Sequence, residues 1–338
     1  MRSVICIVPT SLNKKNIQTI KLLINSLYKS SHQVVKVFFE IVTTNDMESD
    51  NLRSFFLRSE MGNKDFSITV CDKKLGFSEM NNLVLDKYGD DYPDYFLLVN
   101  DDMWVKETFF AEFLKGIEGN YTDVVAPLVI DATILRAQKE VIIDSFGVEY
   151  FKSGYAKNST DLDRETQLIT ASCMFVSSLL IKKMKRKYGF IFNDMFFFYL
   201  EDVEFSIRAK MIGATISKSA SILSYHFGST TSGKRSYFTM YQTYRNILWL
   251  IIMTWPRQII IRNVLNIFLV QMWVFIYSIK SFGIFLYPRA IIETIVCSGK
   301  LLRMRKKIIG SYNKKTEFNS LFSDLSFRTY HGIKIKAV

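Results

Sequence analysis

Hydrophobic and polar positions alternate regularly along the first 100 residues. Continuous apolar runs predict buried strands at 3–8, 34–42, 65–71 and 94–100. Apolar residues at helical spacing predict helices at 15–30 and 78–88, and a polar stretch with a short helix follows the second strand. Strands that alternate with helices indicate an α/β fold, in which helices flank a mostly parallel, Rossmann-like central sheet.

The remainder of the chain changes character at about residue 236. Before it, apolar runs predict strands at 121–130 and 140–151, and helices are predicted at 177–189 and 201–213, each ending in a glycine. After it, helix-like apolar blocks follow at 236–255, 257–280 and 283–307. We therefore expect an α/β domain over 1–235 and a helical C-terminal region over 236–338.

Composition excludes several classes of protein. A hydrophobic content of 49% and only five prolines argue against disorder. The first apolar stretch ends at Pro9 and is too short for a signal peptide. The four cysteines are far apart, which supports neither a disulfide framework nor a thiolate metal site and favours a reducing cytosol.

Charge is concentrated in the C-terminal region. Residues 234–338 contain 17 lysines and arginines and 3 acids, a net charge of +14, whereas the whole chain carries +12. The same region is rich in large apolar side chains, so an anionic membrane surface fits it better than a nucleic acid. A helical subdomain or a homo-oligomer interface in water is the alternative.

The stretch LVNDDMW (98–104) places two carboxylates at a predicted strand end. In a parallel sheet, ligands bind beyond the carboxyl ends of the strands. A divalent cation would offset the repulsion between the two acids and could hold a diphosphate. The structural alternative is a polar loop in which an aspartate caps the next helix.

Two later features are ambiguous on their own. Five aromatic residues precede Glu201 and Asp202 at a predicted helix start. The two acids could simply be surface residues of the first helical turn, where the helix dipole favours negative charge. Alternatively, one of them could be a general base beside the apolar residues. His226 follows a short predicted strand, and a lone histidine is either structural or a metal ligand.

Taken together, these features resemble family-2 glycosyltransferases, which have the GT-A fold. The similarity is to bacterial rhamnosyl-, galactosyl- and galactofuranosyl-type members and covers about residues 3–250. It rests on the motifs KLGFSEMNN (74–82), LLVNDD (97–102), YGFIFNDMFFFYLEDVEFSIRAKMIG (188–213), HFGSTTS (226–232) and YQTYRN (241–246).

The resemblance implies roles for the acids and the histidine. Asp102 matches the metal-binding acid of the D-x-D motif, with Asn100 in the place of its first acid, and His226 completes the Mn²⁺ or Mg²⁺ site. Asp101 is expected near the ribose or diphosphate. Asp202 matches the catalytic base, with Glu201 beside it near the acceptor.

The resemblance also implies a nucleotide-binding half over about 1–105 and an acceptor half over 106–235. Pro9, Thr10, Gly76 and Asn81 match the nucleotide-facing segments, although Asn81 could instead be a surface amide of a helix. Arg245 is either a diphosphate contact or structural.

One segment departs from the family pattern. Members usually have an aspartate directly after the second strand, where this chain has Thr43 in IVTTNDMES (41–49). Either Asp46 substitutes from a reshaped loop or base recognition differs.

The resemblance implies an inverting, metal-dependent glycosyltransferase. Its donor would be a UDP- or dTDP-sugar, and its acceptor a glycan, lipid-linked, in bacterial surface polysaccharide synthesis. The protein would lie in the cytoplasm on the inner face of the cell membrane. The alternatives are a sugar-phosphate nucleotidyltransferase, for which the glycine-rich loop after the first strand is missing, and a non-catalytic membrane-associated scaffold.

Overall fold

The structure is a computed structural model, and it describes residues 1–59, 65–88, 92–119, 121–138, 141–228, 236–310 and 318–323. The strands are Arg2–Thr10 (β1), Val35–Thr43 (β2), Phe66–Val70 (β3), Tyr95–Val99 (β4), Met103–Val105 (β5), Val124–Asp131 (β6), Ile143–Ser145 (β7), Val148–Tyr150 (β8), Ala156–Asn158 (β9), Cys173–Ser177 (β10) and Ile216–His226 (β11). The helices are Ile17–Ser31 (α1), Ser49–Arg58 (α2), Phe77–Lys87 (α3), Phe109–Ile117 (α4), Ala132–Gln138 (α5), Ser178–Tyr188 (α6), Glu201–Met211 (α7), Tyr237–Thr254 (α8), Arg257–Phe282 (α9), Leu286–Val296 (α10) and Ser298–Ile309 (α11).

The predicted α/β fold is confirmed, with one large sheet in the order β3-β2-β1-β4-β10-β6-β11-β5 and β7 beside β6. Its first four strands are parallel, as the alternating pattern predicted. Beyond them the sheet is mixed, because β10 runs antiparallel to both β4 and β6. The run that forms β10 is five residues long and continues directly into α6, so it has no turn residue to mark it as a separate strand.

Two predicted elements are divided in the structure. The predicted strand at 140–151 becomes β7 and β8, because Gly147 between them has a φ of +94° and turns the chain. Glu140 itself lies outside the described residues. The predicted helix at 283–307 becomes α10 and α11, which meet at Cys297. Gly189 ends α6 in the left-handed conformation with a φ of 77°, as its position predicted.

Hydrophobic clusters cover both faces of the sheet. One cluster packs α1 and α4 against it, and the other packs α3, α6 and α7 against the opposite face. A third cluster joins α7 and β8 to the C-terminal helices α8–α11, and it includes the fully buried Trp255. The indole of Trp255 donates a hydrogen bond to the hydroxyl of Tyr150 at 2.5 Å. The predicted domain boundary at 235 stays a prediction, since residues 229–235 lie outside the described part.

The helix α9 is distinct among the described helices. It has 26 residues, its most apolar 18-residue stretch has a mean hydropathy of 1.9, and only 22% of that stretch is buried. By length and composition it is the one helix in the described ranges that could cross a membrane. Its exposed apolar residues form a stripe at helical spacing along about five turns: Ile261, Val264, Leu265, Phe268, Leu269, Met272, Trp273, Ile276 and Ile279.

The topology brings several chain segments to one edge of the sheet. The carboxyl ends of β1, β2 and β4 lie there because these strands are parallel. The antiparallel β10 begins there, with Cys173 paired to Val99. The last residue of β11, His226, pairs with Met103 of β5 and with Asp131 of β6. Asn100, Asp101, Asp102 and His226 therefore come from segments that meet at this edge.

Candidate functional site

The two aspartates of LVNDDMW point to different surroundings. Asp101 turns inward, where its Oδ2 accepts hydrogen bonds from the Thr10 hydroxyl at 2.6 Å and the Asn16 amide at 2.8 Å. Burial raises the pKa of Asp101 to about 6, helped by the charge of Asp102 and opposed by the two hydrogen bonds. Asp101 thus fastens the turn after β4 to the loop after β1, through Asn16, which the sequence alone did not single out.

Asp102 is buried as well, but one of its oxygens has no hydrogen-bond partner. The residue is 5% exposed, and its Oδ1 accepts no hydrogen bond of good geometry. The nearest cationic group is His226, whose Nε2 lies 3.2 Å from that oxygen. The strand pairing of β5 with β11 places these residues together, since His226 is opposite Met103 and the Phe227 amide donates to the Asp102 carbonyl at 2.9 Å.

A third acid, Asp144, completes this cluster and was missed in the sequence. Its Oδ2 lies 2.9 Å from Nδ1 of His226. Burial by itself lowers the pKa of His226, but the contacts with Asp102 and Asp144 outweigh it and raise the pKa to about 10. Asp144 is an acid within the apolar run VIIDSF, which is followed by a glycine, and this pattern could have drawn attention to Asp144.

Asp102 and His226 fit a divalent cation. No group of three or more His, Cys, Asp or Glu side chains in the described ranges is already arranged as a metal site. However, the unpartnered Oδ1 of Asp102 and Nε2 of His226 are 3.2 Å apart, close to the ~3 Å between neighbouring ligands of an octahedral ion with bonds of about 2.1 Å. The other ring nitrogen of His226 is held by a carboxylate, which is the usual arrangement of a metal-binding histidine.

The second acidic pair begins helix α7. Asp202 accepts hydrogen bonds from the backbone amides of Ala171 at 3.2 Å and Val203 at 2.8 Å. Burial raises the pKa of Asp202, and these amides oppose the rise. Glu201 is buried, its Oε2 has no hydrogen-bond partner, and burial together with the charge of Asp202 raises its pKa well above the ordinary value. Both acids therefore hold a proton more readily than a free carboxylate.

A three-residue segment, 170–172, lies between the two acidic pairs. The Ala171 amide donates to Asp202 on one side. On the other side, the carbonyl of Ser172 accepts a hydrogen bond from the Asn100 amide at 2.9 Å. Two motifs that are 100 residues apart in the sequence thus both contact this segment.

The loop before α7 is fixed by contacts with α3 and α7. Asn82 bonds the amide and the carbonyl of Phe192. Arg208 of α7, fully buried and paired with Glu204 at 2.7 Å, donates to the Ile191 carbonyl at 2.6 Å. A Cβ on Gly76 would lie 2.2 Å from the Phe197 carbonyl oxygen, so glycine is required where α3 meets this loop.

The structure gives local partners to the other residues predicted at the donor site. Pro9 is the penultimate residue of β1. Asp46 is exposed and bonds the Ser49 hydroxyl at the start of α2, while Thr43 is buried. Asn81 is fully buried rather than on the helix surface, and its amide donates to the Phe77 carbonyl at 2.8 Å. Their contacts with a nucleotide stay predictions.

Arg245 is surrounded by protein groups. Its guanidinium pairs with Glu293 at 2.9 Å, bonds Gln242 and Asn246, and lies 4.2 Å from the ring centre of Trp249. Of the two roles open to Arg245 in the sequence, these contacts describe the structural one. Residues 229–232 of the predicted HFGSTTS motif lie outside the described residues.

Solved structures of three glycosyltransferases resemble this one. TarS residues 1–349 of S. aureus, in complex with UDP-GlcNAc, align with a TM-score of 0.57 and 16% identity over 92% of this chain and 89% of that one. The mannosyltransferase PcManGT of Pyrobaculum calidifontis, with GDP-Man and Mn²⁺, aligns with a TM-score of 0.50 and 10% identity over 91% and 85% of the two chains. GalNAc-T7 with UDP, GalNAc and Mn²⁺ aligns with a TM-score of 0.55 and 11% identity over 75% of this chain and 49% of that one.

No family model matches the sequence, and the search of curated proteins gives no significant match. Identities of 10–16% establish a common fold and leave activity open. The chain thus has the GT-A fold of these glycosyltransferases, which confirms the fold that the sequence motifs predicted.

Proposed function

We propose that this protein is an inverting, metal-dependent glycosyltransferase of the family-2 type. It would transfer a hexosyl or pentosyl group from a nucleotide-sugar, UDP- or dTDP-linked, to a hydroxyl of a glycan. The observation that carries the proposal is the 170–172 segment, which holds Asp202 on one side and Asn100 on the other. In this proposal, the proton-accepting acid and the residues that would hold a cation contact the same segment. TarS, PcManGT and GalNAc-T7 are described with nucleotide-sugars or nucleotides bound, two of them with Mn²⁺.

Each acidic cluster has its own role in this proposal. Asp102 and His226, with Asn100 beside them, would hold Mn²⁺ or Mg²⁺, and Asp144 fixes the histidine ring. The cation supplies positive charge to the leaving diphosphate. Asp202 takes the proton from the acceptor hydroxyl, a role that its raised pKa suits. Glu201 lies beside it near the acceptor. The hydroxyl oxygen forms the new bond to the anomeric carbon as the bond to the diphosphate breaks.

The C-terminal helices support a membrane location. The apolar stripe of α9 is exposed, and α10 adds Ile292, Ile295 and Val296. Exposed basic residues lie within the two helices: Arg257, Arg262 and Lys280 in α9, and Arg289 in α10. Such a face matches the interface of an anionic leaflet, with apolar side chains inserted and cations at the headgroups. We propose a peripheral location on the cytoplasmic face, which suits a lipid-linked acceptor in surface polysaccharide synthesis.

A screen of nucleotide-sugars tests the proposed reaction. UDP-, dTDP- and GDP-sugars are tested in turn with Mn²⁺, Mg²⁺ or EDTA, and both thermal stabilisation and nucleoside diphosphate release are measured. We expect one donor class to raise the Tm and to be hydrolysed slowly, only with the metal. Release of pyrophosphate from a sugar phosphate and a nucleoside triphosphate would support the nucleotidyltransferase instead. Stabilisation without any turnover would support the scaffold.

Vesicle binding tests the membrane location. Leu265→Asp and Phe268→Asp each place a charge on the α9 stripe, whereas Leu57→Asp on α2 is a matched change at another exposed apolar residue. We expect the two α9 variants to lose co-sedimentation with phosphatidylglycerol vesicles and the α2 variant to keep it, because a charge inserted among acyl chains opposes binding. Equal binding by all three variants would reject the proposed surface.

A further inference from the structure

The turn that precedes Glu201 has an unusual backbone. Tyr199 and Leu200 have φ angles of 70° and 67°, and neither is glycine. Consecutive left-handed residues with large side chains are strained and persist only where their surroundings fix them. This turn sets the first residue of α7 and therefore the direction in which the acidic pair points.

Asn246 of α8 is the side chain that fixes this turn. Its amide nitrogen donates to the carbonyl of Phe198 at 2.8 Å and to that of Tyr199 at 2.7 Å. Asn246 is completely buried, so its side chain has no contact with bulk solvent. Two backbone carbonyls of the strained turn thus depend on one amide group.

Arg245 determines which way that amide faces. Its Nε and Nη2 both donate to Oδ1 of Asn246, at 3.0 Å and 2.9 Å. With the oxygen occupied by these two donors, the amide nitrogen is directed at the turn. The remaining nitrogen, Nη1, pairs with Glu293 of α10 at 2.9 Å. A continuous chain of charged and polar contacts therefore runs from α10 to the turn before the acidic pair.

We infer that Asn246 is a positioning residue for Glu201 and Asp202, and that the Glu293–Arg245 pair orients it. This chain acts on the acids through the backbone of Tyr199 and Leu200 and touches no reacting atom. Its catalytic consequence rests on the proposed function, whereas its effect on the turn does not.

Hydrogen exchange tests the effect on the turn without any assumption about activity. The variants are Asn246→Ala and Glu293→Ala, and the control is Asn266→Ala at an exposed asparagine of α9. We expect peptides covering 197–204 to exchange about tenfold faster in the first two variants, since each hydrogen bond lost weakens the turn. Peptides covering α6 should be unchanged. Exchange over 197–204 equal to the control, or faster exchange throughout the chain, would overturn the inference.

Glu293 provides a variant that folds even if Asn246→Ala does not, because its side chain is 33% exposed. Glu293→Gln retains an oxygen that can accept from Arg245, so it should exchange close to the wild-type rate while Glu293→Ala does not. Loss of protection to the same degree in both would indicate that packing, not the contact with Arg245, holds the turn.

Kinetics with the donor found in the nucleotide-sugar screen test the effect on the acids. We expect Asn246→Ala to lower kcat by about ten- to a hundredfold with the donor KM unchanged, because a displaced base loses alignment while donor contacts remain. A fast-exchanging turn with wild-type kcat would overturn the positioning role. If no nucleotide-sugar is a substrate, the proposed function fails, and the exchange experiment still decides whether Asn246 and Glu293 hold the turn.

Discussion

The acidic pairs Asp101–Asp102 and Glu201–Asp202 have similar hydrogen bonding, but the two acids take the roles in opposite order. In each pair one acid is bonded to the fold and the other has a buried oxygen without a hydrogen-bond partner. Asp101 bonds Thr10 and Asn16, while Asp102 has the unpartnered oxygen. In the second pair Asp202 bonds two backbone amides, and Glu201 has the unpartnered oxygen.

The difference lies in what stands opposite each unpartnered oxygen. Asp102 faces an imidazole at 3.2 Å, so its environment is prepared for positive charge. Burial of Glu201 and the charge of Asp202 both favour its protonated form and outweigh a backbone hydrogen bond that opposes them. The surroundings of the first pair therefore suit a bound cation, and those of the second pair suit a bound proton. The proposed metal-dependent transfer to a hydroxyl requires both.

The largest effect is expected at Asp202. Asp202→Asn removes the proposed base and should lower transfer by about 10²–10⁴-fold while the nucleotide of the donor still binds, because the proposed donor contacts lie at other residues. An asparagine can accept from only one of the two amides that bond Asp202, so the Tm is measured to confirm folding. UDP binding by calorimetry and product release in the same preparation separate the two steps. Full activity in the folded variant would remove Asp202 from the mechanism.

The next largest effect is expected at Asp102. Asp102→Asn should weaken Mn²⁺ binding by more than about a hundredfold, beyond the 10–100-fold that is typical when an outer partner such as Asp144 is changed. Calorimetric Mn²⁺ titrations of Asp102→Asn and Asp144→Asn test this order. Equal Mn²⁺ affinity in Asp102→Asn and the wild type would show that the unpartnered oxygen does not bind the cation.

A smaller, pH-dependent effect is expected at Glu201. Because its pKa is raised in the fold, its contribution to stability is complete below the ordinary value of 4.5 and is lost as the pH rises through the folded-state pKa. Glu201→Gln mimics the protonated form, so it should match the wild type at acidic pH and be more stable at alkaline pH. Thermal unfolding at pH 4 to 9, with the exposed Glu107→Gln as control, measures the difference. If stability depends on pH in Glu201→Gln as it does in the wild type, the raised pKa of Glu201 is contradicted.

The sequence was sufficient for the parallel half of the sheet, and it singled out both acidic pairs and His226. Continuous apolar runs mark the parallel strands because both of their faces are buried, and the acids stand out at the ends of such runs. Asp144, Asn16 and Asn246 were not identified, because their roles depend on contacts between distant segments. Strand β5 has only three residues, too few for any period to show, yet its pairing with β11 is what brings His226 to Asp102.

The smallest effect is expected at Asp101, although it is the neighbour of the proposed metal ligand. Both of its hydrogen bonds end on the same oxygen, so the amide oxygen of Asp101→Asn can accept both. Mn²⁺ affinity and transfer should therefore stay near wild-type values. Asp101→Ala removes the buried acceptor of the Thr10 hydroxyl and of the Asn16 amide, which keep only their bond to each other at 3.1 Å and their bonds to nearby backbone amides, and should cost about 1–3 kcal/mol in the free energy of unfolding. Chemical unfolding and Mn²⁺ titration of the two variants distinguish an anchor from a ligand. An anchor tolerates asparagine and not alanine, whereas a cation ligand would lose Mn²⁺ affinity in both variants.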